Sequence, residues 1–86
     1  RELLTKVEEY LGLEYPGFTV LAVSVTAVKD IPDNVTGISL RIESITDEEC
    51  LQMIDALYRK FGGYDQASGL YVSSVSVNDH ALDVED

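Results

Sequence analysis

The strongest structural signal in the chain is the stretch TDEECLQMIDALYRKFGG, residues 46–63. Thr46 and Glu49 form a capping box, in which the hydroxyl accepts from an amide of the first turn and the carboxylate accepts from the amide of the capping residue. Arg59 and Lys60 suit the negative end of the helix dipole, and the glycine pair ends the helix. The pattern predicts a helix that ends at the last residue of its apolar stripe. The stripe is Cys50, Met53, Ile54, Leu57, Tyr58 and Phe61.

Two strands flank this helix in the sequence. Residues 38–45 alternate between apolar and polar side chains, as in a half-buried antiparallel strand. Residues 70–77 predict a second strand, and a change in its apolar parity indicates a bulge near Ser73 and Ser74. A strand, a crossover helix and a strand form a right-handed unit with parallel strands. The inward residues of the first strand are predicted to be Ile38, Leu40 and Ile42.

The first half of the chain predicts another helix and another strand. Residues 2–11 have helical apolar spacing, and Gly12 is expected to end this helix. Residues 18–29 are rich in valine and threonine, and apolar side chains occur at both odd and even positions. This pattern favours a central strand. Residues 30–37 contain turn formers and are too few for a crossover helix, so we predict a hairpin with the next strand.

The predicted order of elements is α-β-β-α-β. It indicates an α+β two-layer sandwich, in which two helices cover one face of a mixed three-to-four-stranded sheet. This order resembles the ferredoxin-like β-α-β-β-α-β arrangement without its first strand. That strand could lie upstream of Arg1, come from a partner chain, or not exist, in which case the sheet has another order. We assign residues 1–78 to a single domain and residues 79–86 to an acidic C-terminal tail.

Length and composition are those of one globular domain. The chain has 86 residues, of which 45% are hydrophobic and 26% are charged. Folding at this size buries roughly 60% of the unfolded surface, so the core is modest and a homodimer stays open as a way to extend it. The single cysteine cannot form an internal disulfide, which favours a reducing, cytoplasmic location. No apolar run reaches the roughly 20 residues of a membrane-spanning helix.

The net charge of −10 restricts the class of partner. Phosphates would be repelled, which disfavours nucleic acid and anionic membranes and favours a basic protein. Residues 44–86 hold nine acids and two bases, against seven and four in residues 1–43. Once the acids of the second helix are attributed to capping and to helical ion pairs, an excess remains in the second half. That excess is Asp65, Asp79, Asp83, Glu85 and Asp86.

Catalytic chemistry is not indicated by the residue pattern. His80 is the only histidine and has no ligand or nucleophile at a readable spacing, so we interpret it as a solvent-exposed residue of the tail. Cys50 lies on an apolar stripe and is interpreted as a small buried hydrophobe. Asp47, Glu48 and Glu49 suit the helix dipole without a ligand. We therefore expect no catalytic residue, no metal site and no cofactor.

The function that this pattern favours is a non-enzymatic interaction module that docks on a basic partner, as acidic inhibitors, immunity proteins and nucleic-acid mimics do. Tyrosines beside turns suit such a contact because they are large and half-polar. An alternative is a small-molecule-sensing regulatory domain, in which two copies pair edge to edge and bind a ligand between them. The predicted partner surface is Tyr15, Tyr64, Asp65, Tyr71, Asp79, Asp83, Glu85 and Asp86.

Overall fold

Two helices and five strands make up the part of the chain that the computed structural model describes, residues 2–27 and 35–83. In chain order they are α1 (Glu2–Glu14), β1 (Thr19–Ala27), β2 (Val35–Glu43), α2 (Asp47–Phe61), β3 (Gly63–Asp65), β4 (Leu70–Val77) and β5 (His80–Asp83). Most of the predicted turn between the first two strands lies outside the described residues. The two strands still pair antiparallel, as predicted for a hairpin.

The five strands form one mixed sheet in the order β1-β2-β4-β3. β2 and β4 are parallel, while β3 and β5 both pair antiparallel with the outer side of β4. The predicted α+β two-layer sandwich is therefore confirmed, with two short strands added. The sequence pattern predicts no strand at β3, and β5 falls within the predicted tail. Strands of three and four residues are too short to show alternation, and each is defined by its pairing with β4.

The sheet order decides between the alternatives left open for a missing first strand. In the ferredoxin-like arrangement a further strand separates the two strands of the crossover unit. Here β2 and β4 pair directly, with Ile38 opposite Val75 and Leu40 opposite Val77. The described sheet thus has its own order, and no space for another strand lies between β2 and β4.

The position of β1 was predicted wrongly, because β1 is an edge strand and not a central one. Its pairing with β2 is irregular between Val20 and Ala22, where Leu21 is the extra residue. The bulge places Val20 on the same face as Val23 and leaves Leu21 57% exposed. Apolar residues therefore occur on both parities because the strand is bulged, and not because both of its faces are covered.

The helix limits follow from their end residues. At α2, Thr46 Oγ1 accepts from the Glu49 amide at 3.1 Å and Glu49 Oε1 accepts from the Thr46 amide at 3.0 Å, which confirms the capping box. The end predicted for α1 was wrong, since the helix continues through Gly12 to Glu14. It stops before Tyr15, because the residue before a proline disfavours helical geometry.

The core fills the space between both helices and one face of the sheet. Its fully buried side chains come from α1, β2, α2 and β4, and the inward residues predicted for β2 are among them. The predicted bulge in β4 is also confirmed, because Thr36 pairs with Val72 while the next residue, Gly37, pairs with Ser74. The core residues are Leu3, Val7, Leu11, Ile38, Leu40, Ile42, Cys50, Met53, Ile54, Leu57, Phe61, Val72, Val75 and Val77.

Asn78 turns the chain from β4 into β5 and ties that turn to β2. Its backbone amide donates to Leu40 O at 2.9 Å. Its side chain then accepts from the Ile42 amide at 2.8 Å and donates to Ile42 O at 3.0 Å. The residue has a φ of 55°, a left-handed conformation that asparagine tolerates better than most residues. Asn78 thus prolongs the parallel pairing beyond the end of β4.

Candidate interaction surfaces

Tyr64 and Tyr71 lie directly opposite one another on β3 and β4. Val72 points into the core, so its neighbour Tyr71 faces the side of the sheet that the helices leave open. The two tyrosines are 61% and 36% exposed. Cross-strand aromatic neighbours of this kind form a compact contact surface. The structure thus brings together two of the residues predicted to meet a partner.

Asp65 has partners within the chain. Its carboxylate accepts from the Ser68 hydroxyl at 2.6 Å and from the Ser68 amide at 3.0 Å, and Lys6 donates to it at 3.4 Å. The Ser68 hydroxyl bond is the largest cause that lowers the pKa of this carboxyl, followed by the Ser68 amide and Lys6, while burial opposes the shift. Asp65 closes the turn between β3 and β4, so its charge is explained by the fold.

The first turn of α2 and the turn before β5 bring four acids to one end of the molecule, which we name the acidic end: Asp47, Glu48, Glu49 and Asp79. Burial raises the pKa of the nearby Cys50 thiol, and the carboxylates of Asp47, Glu49 and Asp79 raise it further. Acids from α2 and from the turn before β5 therefore both affect the pKa of the same buried thiol. Asp47, Glu48 and Asp79 are exposed, and Glu49 is half-buried.

The α2 acids and Asp79 are far apart in the sequence, and the structure brings them to the same end of the molecule, where His80 contacts Asp47. Their proximity depends on the turn at Asn78, which returns the chain towards the N-terminus of α2. His80 was wrongly interpreted as part of a solvent-exposed tail, because it belongs to β5 and pairs with Val77. Its Nε2 lies 3.2 Å from Asp47 Oδ1, and its side chain is 31% exposed. No pattern in the sequence indicates this long-range contact.

The remaining acids of the predicted surface are only partly described. Asp83 is the last residue of β5, and its backbone pairs with Ser74. Glu85 and Asp86 lie outside the described residues. The assignment of residues 79–86 to a tail is thus refined by β5, which carries the sheet through Asp83.

Tyr15 lies beside the opposite edge of the sheet from Tyr64. Its ring packs edge-on against Tyr10, with the centroids 6.2 Å apart, and is tilted against Phe18 at 6.0 Å. It lines a groove of about 590 Å³ between α1 and β1. The predicted partner surface is therefore divided between separate places. Other groove-lining residues are Leu11, Gly12, Phe18, Leu21 and Val23.

Metal binding and membrane crossing find no support in residues 2–27 and 35–83. No three histidine, cysteine or acidic side chains in these ranges are grouped so that they could hold a metal ion. Neither described helix combines the length and the apolar character needed to cross a bilayer. No protein-family model, no curated protein and no solved structure matches this chain. Function is therefore inferred from shape and charge.

Proposed function

We propose that this protein is a non-enzymatic interaction module that docks on a basic protein surface through the acidic end. The observation that carries the proposal is the contact of His80 Nε2 with Asp47 Oδ1 at 3.2 Å, which brings Asp79, the residue before His80, to the end of the molecule that holds Asp47 and Glu49. These acids come from two elements separated by the whole of α2 and β4. A negative patch assembled in this way presents a fixed arrangement of charge to a partner.

The helix dipole accounts for part of this charge. Acids in the first turn of α2 complement the positive end of the helix, but Asp79 lies outside the helix and adds negative charge to the same place. Two cations of the described residues pair with acids elsewhere, Lys6 with Asp65 and Arg59 with Asp55. His80 is the basic group that meets the acidic end. An excess of one sign attracts the opposite sign over long distances and raises the rate of encounter.

The class of partner follows from the same electrostatics. Carboxylates in a fixed array resemble the phosphates of a nucleic acid, so a protein whose basic groove accepts phosphate is the type of partner proposed. An inhibitor, an immunity protein or a nucleic-acid mimic would act in this way, without catalysis and without a cofactor. Direct binding to nucleic acid is disfavoured by the charge of the chain. A cytoplasmic location would fit such a partner.

A matched pair of variants tests the proposal. Glu48→Gln/Asp79→Asn removes two charges from the acidic end and leaves the capping box and the His80 contact in place. Glu9→Gln/Asp55→Asn removes two charges from exposed helix positions elsewhere. The wild type and both variants are immobilised, exposed to a lysate of the source organism and eluted with a salt gradient, and the released proteins are identified by mass.

We expect the wild type and the control variant to retain the same basic protein, and the acidic-end variant to release it at much lower salt. The dissociation constant measured with the purified partner should rise steeply with ionic strength, because screened charges attract less. Equal retention by all three proteins, or affinity that is indifferent to salt, would contradict the proposal.

The groove beside Tyr15 favours a second candidate, a small-molecule-sensing regulatory domain that acts as a dimer. Its volume of about 590 Å³ falls within the ~300–1,000 Å³ of ordinary ligand sites. Aromatic and aliphatic side chains line most of it. A ligand that binds there should raise the melting temperature, and the rise should grow with the logarithm of the ligand concentration once that concentration exceeds the dissociation constant. A strict monomer whose melting temperature no metabolite of a panel changes would exclude this candidate.

A further inference from the structure

The core is incomplete beneath β1. Residues 19–26 include no fully buried side chain, although the strand is rich in valine. Its inward residues Val20, Val23 and Val25 pack against the core but remain half-exposed. On the neighbouring strand, Ile38 and Leu40 are only 1% and 4% exposed. Apolar area is therefore left uncovered along one side of the sheet, where burial would be favourable.

The same strand carries no charge. Its sequence is TVLAVSVTA, nine residues without an acid or a base, in a chain of net charge −10. Exposed edge strands expose unpaired backbone amides and carbonyls, and natural proteins usually protect them with charges, prolines or short length. β1 has only the bulge at Leu21, which leaves most of the strand regular on its β2 side. An uncharged edge allows close approach of another strand.

We infer that a second copy of this chain pairs antiparallel with β1 and joins the two five-stranded sheets into one continuous sheet. Identical edges without charge can meet although each copy is strongly negative. A two-fold axis at Val23 places Leu21 opposite Val25 of the second copy and Ala22 opposite Ser24. Leu21, which is exposed in one copy, then gains an apolar neighbour, and the small side chains of Ala22 and Ser24 lie opposite one another.

Electrostatics select the antiparallel arrangement. The Thr19 end of β1 lies beside Glu43, near the acidic end, whereas the Ala27 end lies away from it. Antiparallel pairing separates the two Thr19 ends by about 25 Å, from a rise of roughly 3.3 Å per residue. That separation exceeds the Debye length of about 8–10 Å at physiological salt. The acidic ends remain apart and accessible, so this inference does not rest on the proposed function.

The oligomeric state tests the inference with another matched pair. Leu21→Lys places a charge on the proposed interface, at a side chain that is 57% exposed. Leu51→Lys makes the same change on the surface of α2, at a side chain that is 54% exposed. Both substitutions remove little buried area, so both variants should fold, which circular dichroism and melting curves check. Molar mass is measured by sedimentation equilibrium from micromolar to millimolar concentration.

We expect a wild-type dimer, a Leu51→Lys dimer and a Leu21→Lys monomer over the same range. Added salt should strengthen the dimer, because it screens repulsion between the two negative copies, whereas docking through the acidic end should weaken. Hydrogen exchange should slow at β1 amides on dimerisation in the wild type and in Leu51→Lys, and it should not slow in Leu21→Lys. A wild type that stays monomeric at every concentration and at high salt would overturn the inference. So would capture of another protein's strand on β1 by a monomer, or a Leu21→Lys variant that dimerises normally.

Discussion

The two edges of the sheet are built in opposite ways. One edge is β1, a single strand of nine uncharged residues that runs the length of the sheet. The other edge is divided between β3 and β5, of three and four residues, which both pair with β4. The divided edge also contains acids and a histidine, and short charged strands resist the addition of another strand. The difference indicates that the divided edge resists the addition of another strand, whereas the outer backbone edge of β1 is available for one.

Different interactions hold the two edges. The divided edge depends on side chains that bond to backbone, because its strands are too short to be stabilised by pairing alone. Asn78 fixes the turn into β5, and Asp65 fixes the turn after β3. β1 depends on long pairing with β2 and on apolar contact with α1. Substitutions that break side-chain bonds should therefore affect the divided edge selectively.

The largest effect is expected for Asn78→Ala. The change removes both side-chain bonds to the Ile42 backbone, and each buried group left without a partner costs about 1–3 kcal/mol. The left-handed φ of 55° would also strain an alanine. We expect the free energy of unfolding, measured by urea denaturation, to fall by about 3 kcal/mol.

Ser76→Ala is the control for this prediction. Ser76 bonds to the Ser39 hydroxyl at 2.9 Å on the exposed face of the sheet, where water can replace the lost partner. Its loss should cost at most about 0.5 kcal/mol, since surface changes are small. An equal decrease in the free energy of unfolding for the two variants would show that the Asn78 bonds do not stabilise the divided edge. Exchange of β5 amides should accelerate only in Asn78→Ala.

Two glycines provide the next comparison. A Cβ on Gly62, just before β3, would lie 2.5 Å from Tyr58 O and 2.8 Å from the Tyr58 ring. A Cβ on Gly12, in the helix beside β1, would meet nothing within 4 Å. Gly62→Ala should therefore destabilise by about 1–3 kcal/mol through overpacking, and Gly12→Ala should stabilise by up to about 1 kcal/mol through helix propensity. Thermal unfolding of both variants checks the opposite signs; shifts in the same direction would contradict the prediction.

Local patterns explain what could be predicted from the sequence. The start of α2, its buried stripe and the end at the glycine pair all follow from neighbouring residues. Alternation in β2 and the bulge in β4 are local as well. The position of β1 is not local, because it depends on which strand β4 joins after the crossover. A valine-rich strand at an edge has the same composition as one at the centre.

The candidate surfaces were predicted less completely for the same reason. Exposed tyrosines beside a turn could be recognised, since turns lie at the surface. The ion pair of Asp65 could not be predicted, because Lys6 is 59 residues away in the chain, although the bonds from Ser68 to Asp65 are local. Asp79 joins the α2 acids only through the fold of the β4–β5 turn. Charge counted along a sequence does not report which carboxylates already have partners.

The smallest effect expected at the divided edge is the pH dependence of Asp65→Asn. The Ser68 bonds and Lys6 lower the pKa of Asp65 below its ordinary value of 3.8, so the folded state favours the ionised carboxyl. The stabilisation is complete above the ordinary pKa and is lost as the pH falls through the folded pKa. At neutral pH the asparagine variant should be less stable by about 1 kcal/mol, because a charge-assisted bond is replaced by a neutral one.

Unfolding in urea across a range of pH values measures this difference. The gap between wild type and Asp65→Asn should stay constant from neutral pH down to about pH 5 and narrow as the pH falls below 3.8. Asp55→Asn is the control, since its pair with Arg59 is exposed and should contribute at most about 0.5 kcal/mol. A gap that widens in acid would reverse the sign of the linkage. A gap that stays constant through acid pH would instead mean that the Asp65 turn stabilises the divided edge through its shape and not through its charge.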